Sequence, residues 1–338
     1  MKRYCVVLLV LSVLLCACGS ATPKQYTVTY LTLFDTVTTI IGTGETEEKF
    51  RQNAQEIYEE LLAYHQLFDI YNDYEGIQNL KTINDQAGIA PVAVDPAIIA
   101  LLLDCIDYYV LTDGKVNAAM GSVLRLWHQA RNESIQNPDK AYLPDGKALA
   151  DAAEHTDFDS IVIDKAASTV YIPDPEMSLD VGAIAKGWAC QKVAETVPEG
   201  MLISVGGNVC VTGPKYTDGT PWAVGIQDPD NSGDYLHTIN VTGGTVVTSG
   251  DYQRVYTVDG KTYHHIIDPE TQMPSAYWCS VTVACGDSGL ADALSTALFL
   301  LPFEEGQALA EKCGAQVLWL DGSGNEFMTP GFRKFLQT

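Results

Sequence analysis

The stretch Thr245 to Pro274, TVVTSGDYQRVYTVDGKTYHHIIDPETQMP, constrains the fold most tightly. Asp259-Gly260 between two runs rich in Val, Tyr, Thr and Ile is a strong short-range β-hairpin signal. The hairpin predicts a small-residue loop before it, Thr248-Ser249-Gly250-Asp251, and a turn after it at Asp268-Pro269. Hydroxyls and backbone N–H groups gather at 248–250, while His264, His265 and Asp268 close the second strand. Side chains alternate faces along a strand, so only one of the two histidines points at a given pocket. His264 fits an ordinary sheet histidine, and His265 beside Asp268 fits a functional one.

A chain of 338 residues with 46% apolar content can bury a sizeable core in one large domain or two smaller ones. Its formal charge of −23 argues against a nucleic-acid partner, since phosphate backbones require Lys and Arg. An anionic nucleotide remains compatible, because a metal ion, backbone N–H groups and a few placed cations suffice to hold it.

Lys2 and Arg3 precede an apolar run from Val6 to Leu15, which is short for a membrane span and has the proportions of a secretory signal. The run ends Leu15-Cys16-Ala17-Cys18, which resembles a bacterial lipobox with Cys18 as the lipidated residue, although a plain cleaved signal also fits. Residues 1–18 are thus expected to be a lipoprotein signal and 19–26 a polar tether. The single domain would span 27–338, held at the extracytoplasmic face of the cell membrane by its lipid. The other cysteines, Cys105, Cys190, Cys210, Cys279, Cys285 and Cys313, show no metal-ligand spacing. Each lies in an apolar run and reads as core, with one disulfide bridge compatible.

Residues 27–41 alternate as one strand around Phe34-Asp35-Thr36, and Gly42 to Gly44 ends it. A long amphipathic helix follows, with Phe50, Ala54, Ile57, Leu61 and Phe68 at helical spacing, then a polar loop to about Val94. Asp95-Pro96 reads as an N-cap with proline at the first helical position, and Gly114 as the stop. Small residues from Asp113 to Gly121 lead into a helical turn holding Trp127, and 132–147 reads as a loop. A hairpin over 160–172 turns at Lys165-Ala166-Ala167, and further strands are expected at 222–226, 235–241, 278–284 and 316–320.

Two more stretches carry chemistry. Ser178 to Gly187, SLDVGAIAKG, reads as a strand ending at Asp180 whose small residues open a helix. Unpaired N–H groups there form an anion cradle, with Lys186 adding a charge for a phosphate, though a plain strand-helix turn has the same pattern. The Gly206-Gly207 pair after a buried strand lets backbone approach a flat ring or a phosphate closely. In the helix Ser288 to Leu301, Leu290, Leu294, Ala297, Leu298 and Leu301 share a buried face. Asp292 and Thr296 stack on the opposite face with Ser295 nearby. That trio fits a hard-cation site for Mg²⁺ or, by itself, a solvated polar face.

In their order these stretches resemble the FAD:protein FMN transferase family, the ApbE-like flavin-trafficking proteins. The carrying motifs are Phe34-Asp35-Thr36, Tyr71, Asn117 to Trp127, Leu179 to Gly187 and Gly206-Gly207. Thr248 to Tyr252, His264 to Thr271 and Ala291 to Ala297 complete the set. The resemblance implies an α+β fold of antiparallel-rich sheets packed with helices, the site lying between the 179–187 loop, the central hairpin and the 291–297 helix. It implies Mg²⁺-dependent transfer of FMN from FAD to a Ser or Thr hydroxyl of an exported flavoprotein, such as a membrane redox subunit, with release of AMP.

By the same resemblance, the backbone carbonyl of Ala183 with Asp292, Ser295 and Thr296 would surround the metal. Phe34, Tyr71, Val116, Asn117, Ala118, Ala119, Asp180 and Lys186 would line the FAD site. Gly206, Gly207, Thr248, Ser249, Gly250, Tyr252 and Ile266 would complete it, and His265 with Asp268 would serve the reacting hydroxyl. A Thr hydroxyl needs a proton acceptor near operating pH, a role for His265 held by a carboxylate. Two positions depart from the family pattern: Val116-Asn117-Ala118-Ala119 replaces Phe-Asp-x-Thr, and Gln272 replaces the glycine of DPxTG. An FAD diphosphatase uses the same residues with water as acceptor, and a non-catalytic flavin-binding lipoprotein is the third reading.

Overall fold

Phe34 and Asp35 both take positive φ, 51° and 52°, so the alternating run read as one strand folds back on itself. The result is an antiparallel hairpin, Lys24–Leu33 against Thr36–Gly44, whose first strand begins inside the expected tether. The computed structural model describes residues 24–44, 46–229, 233–252 and 254–336; the expected signal segment and Cys18 lie outside them. Among the described residues, no helix is long and apolar enough to cross a membrane.

That hairpin starts an eight-stranded sheet whose spatial order follows the chain. Met201–Val205, Asn208–Val211, Gly244–Gly250, Ser280–Cys285, Gln316–Leu320 and Glu326–Met328 follow, every neighbour antiparallel. Alternation decides which layer each side chain joins. Val246, Ala284 and Leu318 face a two-stranded hairpin, Trp222–Gln227 with Tyr235–Val241. Val247, Val283 and Val317 face the helix Ser288–Leu300. With helices and antiparallel sheets mixed in this way, the fold is α+β as expected.

Long insertions between sheet strands carry the site. Residues 45–200 contribute the helices Glu47–Phe68, Pro96–Leu111, Gly121–Gln136 and Ala185–Thr196. Asp95 caps its helix as expected, accepting the Ala97 N–H at 2.8 Å ahead of Pro96. The two expected loops hold more structure than their polarity suggests. Asn79 and Thr82 form a reciprocal capping box that starts a short helix, Leu80–Asp85. The Trp127 helix continues to Gln136, and Asp145 caps another helix, Gly146–Ala153.

Two further expectations change. Ser178 makes one bridge to Met120 and no strand, so the segment before Asp180 is irregular. Thr248, Ser249 and Gly250 are the end of a central strand and no loop, because their backbone pairs with Thr282, Val281 and Ser280. The Thr248 and Thr282 hydroxyls meet across that pair at 2.9 Å. The six cysteines among the described residues are all free.

The helix Ser288–Leu300 is buried on almost every side, so the Asp292 and Ser295 side is interior and no solvated polar face. It packs against the helix Ala185–Thr196, and Gly187 makes the approach feasible. A Cβ at Gly187 would run into the Ser288 carbonyl oxygen and lie 2.5 Å from the Asp292 Cβ. Replacing Gly187 by Ala should therefore destabilise the chain by about 1–3 kcal/mol, the range for overpacked interiors. A urea-unfolding midpoint equal to that of the unsubstituted chain would show that the helix pair can separate freely.

Candidate active site

The 156-residue span between the second and third sheet strands and the loops after Gly250 and His264 meet over one cavity of about 320 Å³. Its wall takes in Phe34, Tyr71, Val116, Asn117, Asp180, Ala183, Lys186 and Gly206 from the expected set. Thr248, Ser249, Gly250, His265, Ile266, Asp292 and Thr296 line it as well. Residues spread over more than 260 positions are thus brought together.

The 180–187 turn is set locally. The Asp180 carboxylate accepts the Gly182 N–H at 2.9 Å, and the Asp180 N–H donates to the Ala118 carbonyl at 2.8 Å. Lys186 donates to the Gly182 carbonyl at 3.0 Å and lies 3.5 Å from Asp292 Oδ2. That same oxygen accepts the Gly187 N–H at 2.8 Å. Asp292 is 3% exposed, so burial pushes its carboxyl upward from the ordinary value, against the pull of Lys186 and the Gly187 N–H.

This donor set fits one kind of metal. Asp292, Thr296 and Ala183 share the cavity wall, and the described residues contain no cluster of three or more His, Cys, Asp or Glu. A single carboxylate with a hydroxyl and a carbonyl is too sparse for a closed Zn²⁺ site. It suits Mg²⁺, which keeps waters and takes substrate phosphates into its shell. Ser295 is turned away from that wall: fully buried, it hydrogen-bonds the Ser249 hydroxyl at 2.8 Å and donates to the Asp292 carbonyl at 2.8 Å. Its role is to tie the helix to the central strand.

The expected His265–Asp268 pair does not form. Asp268 accepts from Lys115 at 3.2 Å and from the Glu270 N–H at 3.0 Å, because the turn it opens and a lysine 153 positions away claim its oxygens first. His265 Nδ1 is buried without a hydrogen-bond partner. Burial, with Arg254, His264 and Lys186 adding positive charge, lowers its pKa to about 3. His265 is accordingly neutral across ordinary pH instead of poised near it. His264 is the structural histidine expected: Nε2 donates to the Ser275 carbonyl at 2.7 Å and Nδ1 accepts the Ile266 N–H at 3.2 Å.

Other expected contacts stand back from the cavity. Ala118 and Ala119 are core methyl groups behind Val116 and Asn117, and Gly207 and Tyr252 fall outside the wall. Asn117 spends its amide on the fold, donating to the Thr156 carbonyl at 2.9 Å and accepting the Ala119 N–H at 2.8 Å. Gln272 holds φ at 56°, the conformation that favours glycine. Its side-chain amide donates to the Pro269 and Glu270 carbonyls at 3.0 and 2.9 Å, which secures the turn without one.

Several wall residues escaped the sequence reading, Asp69 and His128 among them, and both hold the expected Tyr71. Tyr71 is presented by Asp69, whose carboxylate accepts the Tyr71 N–H at 2.7 Å and the Tyr74 hydroxyl at 2.7 Å. The Tyr71 hydroxyl meets His128 Nδ1 at 2.8 Å. Asn208, Arg254 and Lys115 also line the cavity, and Arg131 lies near enough to Arg254 for the two charges to repel. His128 and Arg131 are three apart on one helix, a spacing visible in the sequence, but nothing in it marks that face as cavity.

Known proteins share this fold. The sequence profile of the ApbE family matches residues 26–319. An FAD:protein FMN transferase of Treponema pallidum is 36% identical over 248 residues, 68% of this chain and 67% of that protein. One from Klebsiella pneumoniae is 31% identical over 265 residues, 74% of this chain and 79% of that protein. Among solved structures, the ApbE protein of Thermotoga maritima superposes with a TM-score of 0.81 at 27% identity, covering 93% of this chain and all (100%) of that one. The flavin transferase ApbE from Vibrio cholerae gives 0.76 at 25% identity, again covering 93% and 100%. By sequence profile, by relatives and by fold, this chain belongs to the ApbE family.

Proposed function

We propose that this chain transfers FMN from FAD to a Ser or Thr hydroxyl of an exported flavoprotein, releasing AMP. The names of its relatives support flavin transfer. The observation that carries the chemistry is that Lys186, Asp292 and a neutral His265 line one cavity. A diphosphate is a stable dianion, and cleaving it requires neutralised charge and a positioned nucleophile.

Lys186 binds phosphoryl oxygen, and Asp292, Thr296 and the Ala183 carbonyl would hold Mg²⁺, which would supply charge neutralisation for the diphosphate. The acceptor oxygen forms a bond to the FMN-side phosphorus, the bond from that phosphorus to the bridging oxygen breaks, and AMP leaves with the electron pair. His265, already unprotonated, takes the hydroxyl proton. The dianion bound beside it raises its basicity above the value set by burial and the nearby cations. Tyr71, 58% exposed on its Asp69-braced loop, and Phe34 offer aromatic surface to the flat rings of the substrate.

The segment 1–18 is proposed to direct export, with Cys18 carrying the lipid, and the sequence pattern supports this. Replacing Cys18 by Ser should move the protein from the membrane pellet to the soluble fraction on cell fractionation. An unchanged distribution would remove the lipid anchor from the proposal.

Incubating residues 19–338 with FAD, Mg²⁺ and an exported flavin-domain protein should add the mass of FMN to that acceptor and release AMP. Asp292→Ala should slow this at least about 100-fold, the scale of losing a charge-stabilising group. Undiminished transfer by that variant would exclude Asp292 from the metal site, and FMN and AMP with unmodified acceptor would favour the diphosphatase.

His265 also predicts acid sensitivity. Its folded pKa of about 3 lies below the unfolded 6.5, so below pH 6.5 the unfolded chain binds a proton that the folded one does not. Its contribution to stability is complete above that pH and is lost on acidification at about 1.4 kcal/mol per unit until pH 3. His265→Leu should flatten that slope in urea unfolding between pH 6 and 4. An identical slope in both proteins would contradict the buried neutral ring.

A further inference from the structure

Five buried side-chain atoms among the described residues have no hydrogen-bond partner. Thr38, Tyr256 and Trp319 lie away from the cavity, while His265 and Asn208 line it. A buried unpaired donor costs about 1–3 kcal/mol, and Asn208 Nδ2, with two N–H groups on a residue 2% exposed, has the Asp292 carboxylate in reach but no well-aligned partner in the folded chain.

The sheet aims this side chain. Gly206 and Gly207 take φ of 57° and 93°, forming a two-residue turn, and Asn208 opens the strand beyond it. Val209 and Val211 face the Trp222–Gln227 hairpin, so alternation turns Asn208 and Cys210 toward the helices. Asp292 lies on that side, and both residues line the cavity. The Asn208 amide is near enough to favour an ionised Asp292, yet makes no hydrogen bond of good geometry to it. Asp292 Oδ2 is already engaged by Gly187 and Lys186.

We propose that Asn208 is a catalytic residue of the transfer reaction, donating from Nδ2 to a non-bridging oxygen of the substrate diphosphate. This rests on the flavin-transfer reading. The site would then have a cationic donor in Lys186 and a neutral one in Asn208 on the same phosphoryl group. A donor fixed before the reaction gains most as charge builds on those oxygens in the transition state, which places its effect on kcat. The missing partner in the fold and the side of the sheet it faces both follow from that role.

The test compares Asn208→Leu, similar in shape and without polar atoms, and Asn208→Asp with the unsubstituted chain. Melting temperature is measured without ligand and with FAD, and AMP release is followed in a single turnover with Mg²⁺. The leucine variant should melt at or above the unsubstituted chain without ligand, lose most of the FAD-induced rise, and release AMP about 100- to 1,000-fold more slowly. The aspartate variant, which sets a carboxylate against the diphosphate, should bind FAD at least about tenfold more weakly. A leucine variant that melts lower without ligand but keeps its FAD-induced rise and its AMP rate would make Asn208 structural and overturn the inference. Should leucine prevent folding, an aspartate variant with unaltered FAD affinity would overturn it equally. If the unsubstituted chain shows neither an FAD-induced rise nor AMP release, the flavin-transfer reading falls and takes this inference with it.

Discussion

One hydrogen bond joins the architecture to the chemistry: the Gly187 N–H donates to Asp292 Oδ2 at 2.8 Å where two helices cross. It needs a residue without a side chain at 187, since the Ser288 carbonyl and the Asp292 Cβ fill the space a methyl group would take. It also needs Asp292 buried, which the sheet ensures by packing Val247, Val281 and Val283 against the same helix. Lys186 follows from it, because the residue before Gly187 is carried to the rim of the cavity 3.5 Å from the same oxygen. Cation, carboxylate and phosphate-facing turn are thereby fixed together by helix packing.

The cavity gathers several of the few cations of a chain whose formal charge is −23. Its wall sets Lys115, Lys186 and Arg254 beside Asp35, Asp69, Asp180 and Asp292, with Lys115 paired to Asp268 and Glu270. Burial first, and Arg254 after it, lower the pKa of both His265 and Arg131. The acidic exterior meanwhile repels nonspecific polyanions. His265 is unprotonated because burial and neighbouring cations lower its pKa, where a paired carboxylate would have raised it.

What the sequence made legible was local chemistry with strong backbone preferences. Asp259-Gly260 turns the hairpin Tyr256–Val258 with Lys261–Tyr263, with φ of 50° and 79°, and Asp95-Pro96 starts a helix, because each pattern admits few conformations. The Phe34-Asp35 turn stayed hidden because neither residue advertises positive φ, and only packing in the fold holds them there. Thr248-Ser249-Gly250 read as loop because small hydroxyl residues favour turns, yet pairing on both sides of their strand outweighs that preference. The partner of Asp268 could not be read at all, since Lys115 reaches it only through the fold.

The ungratified groups of the cavity follow a common logic. Asn208 Nδ2 and His265 Nδ1 lack partners, and Asp292 is held above its ordinary pKa by burial. Each lowers the stability of the empty protein, and each is of the sign that an anionic diphosphate with a divalent cation would relieve: a donor and a base for the substrate, a carboxylate for the ion. A ligand that binds the folded state alone returns that free energy as stability and as affinity. Three other unpaired atoms among the described residues lie away from the cavity, so it is the two on its wall, His265 and Asn208 beside Lys186 and Asp292, that bear on the ligand.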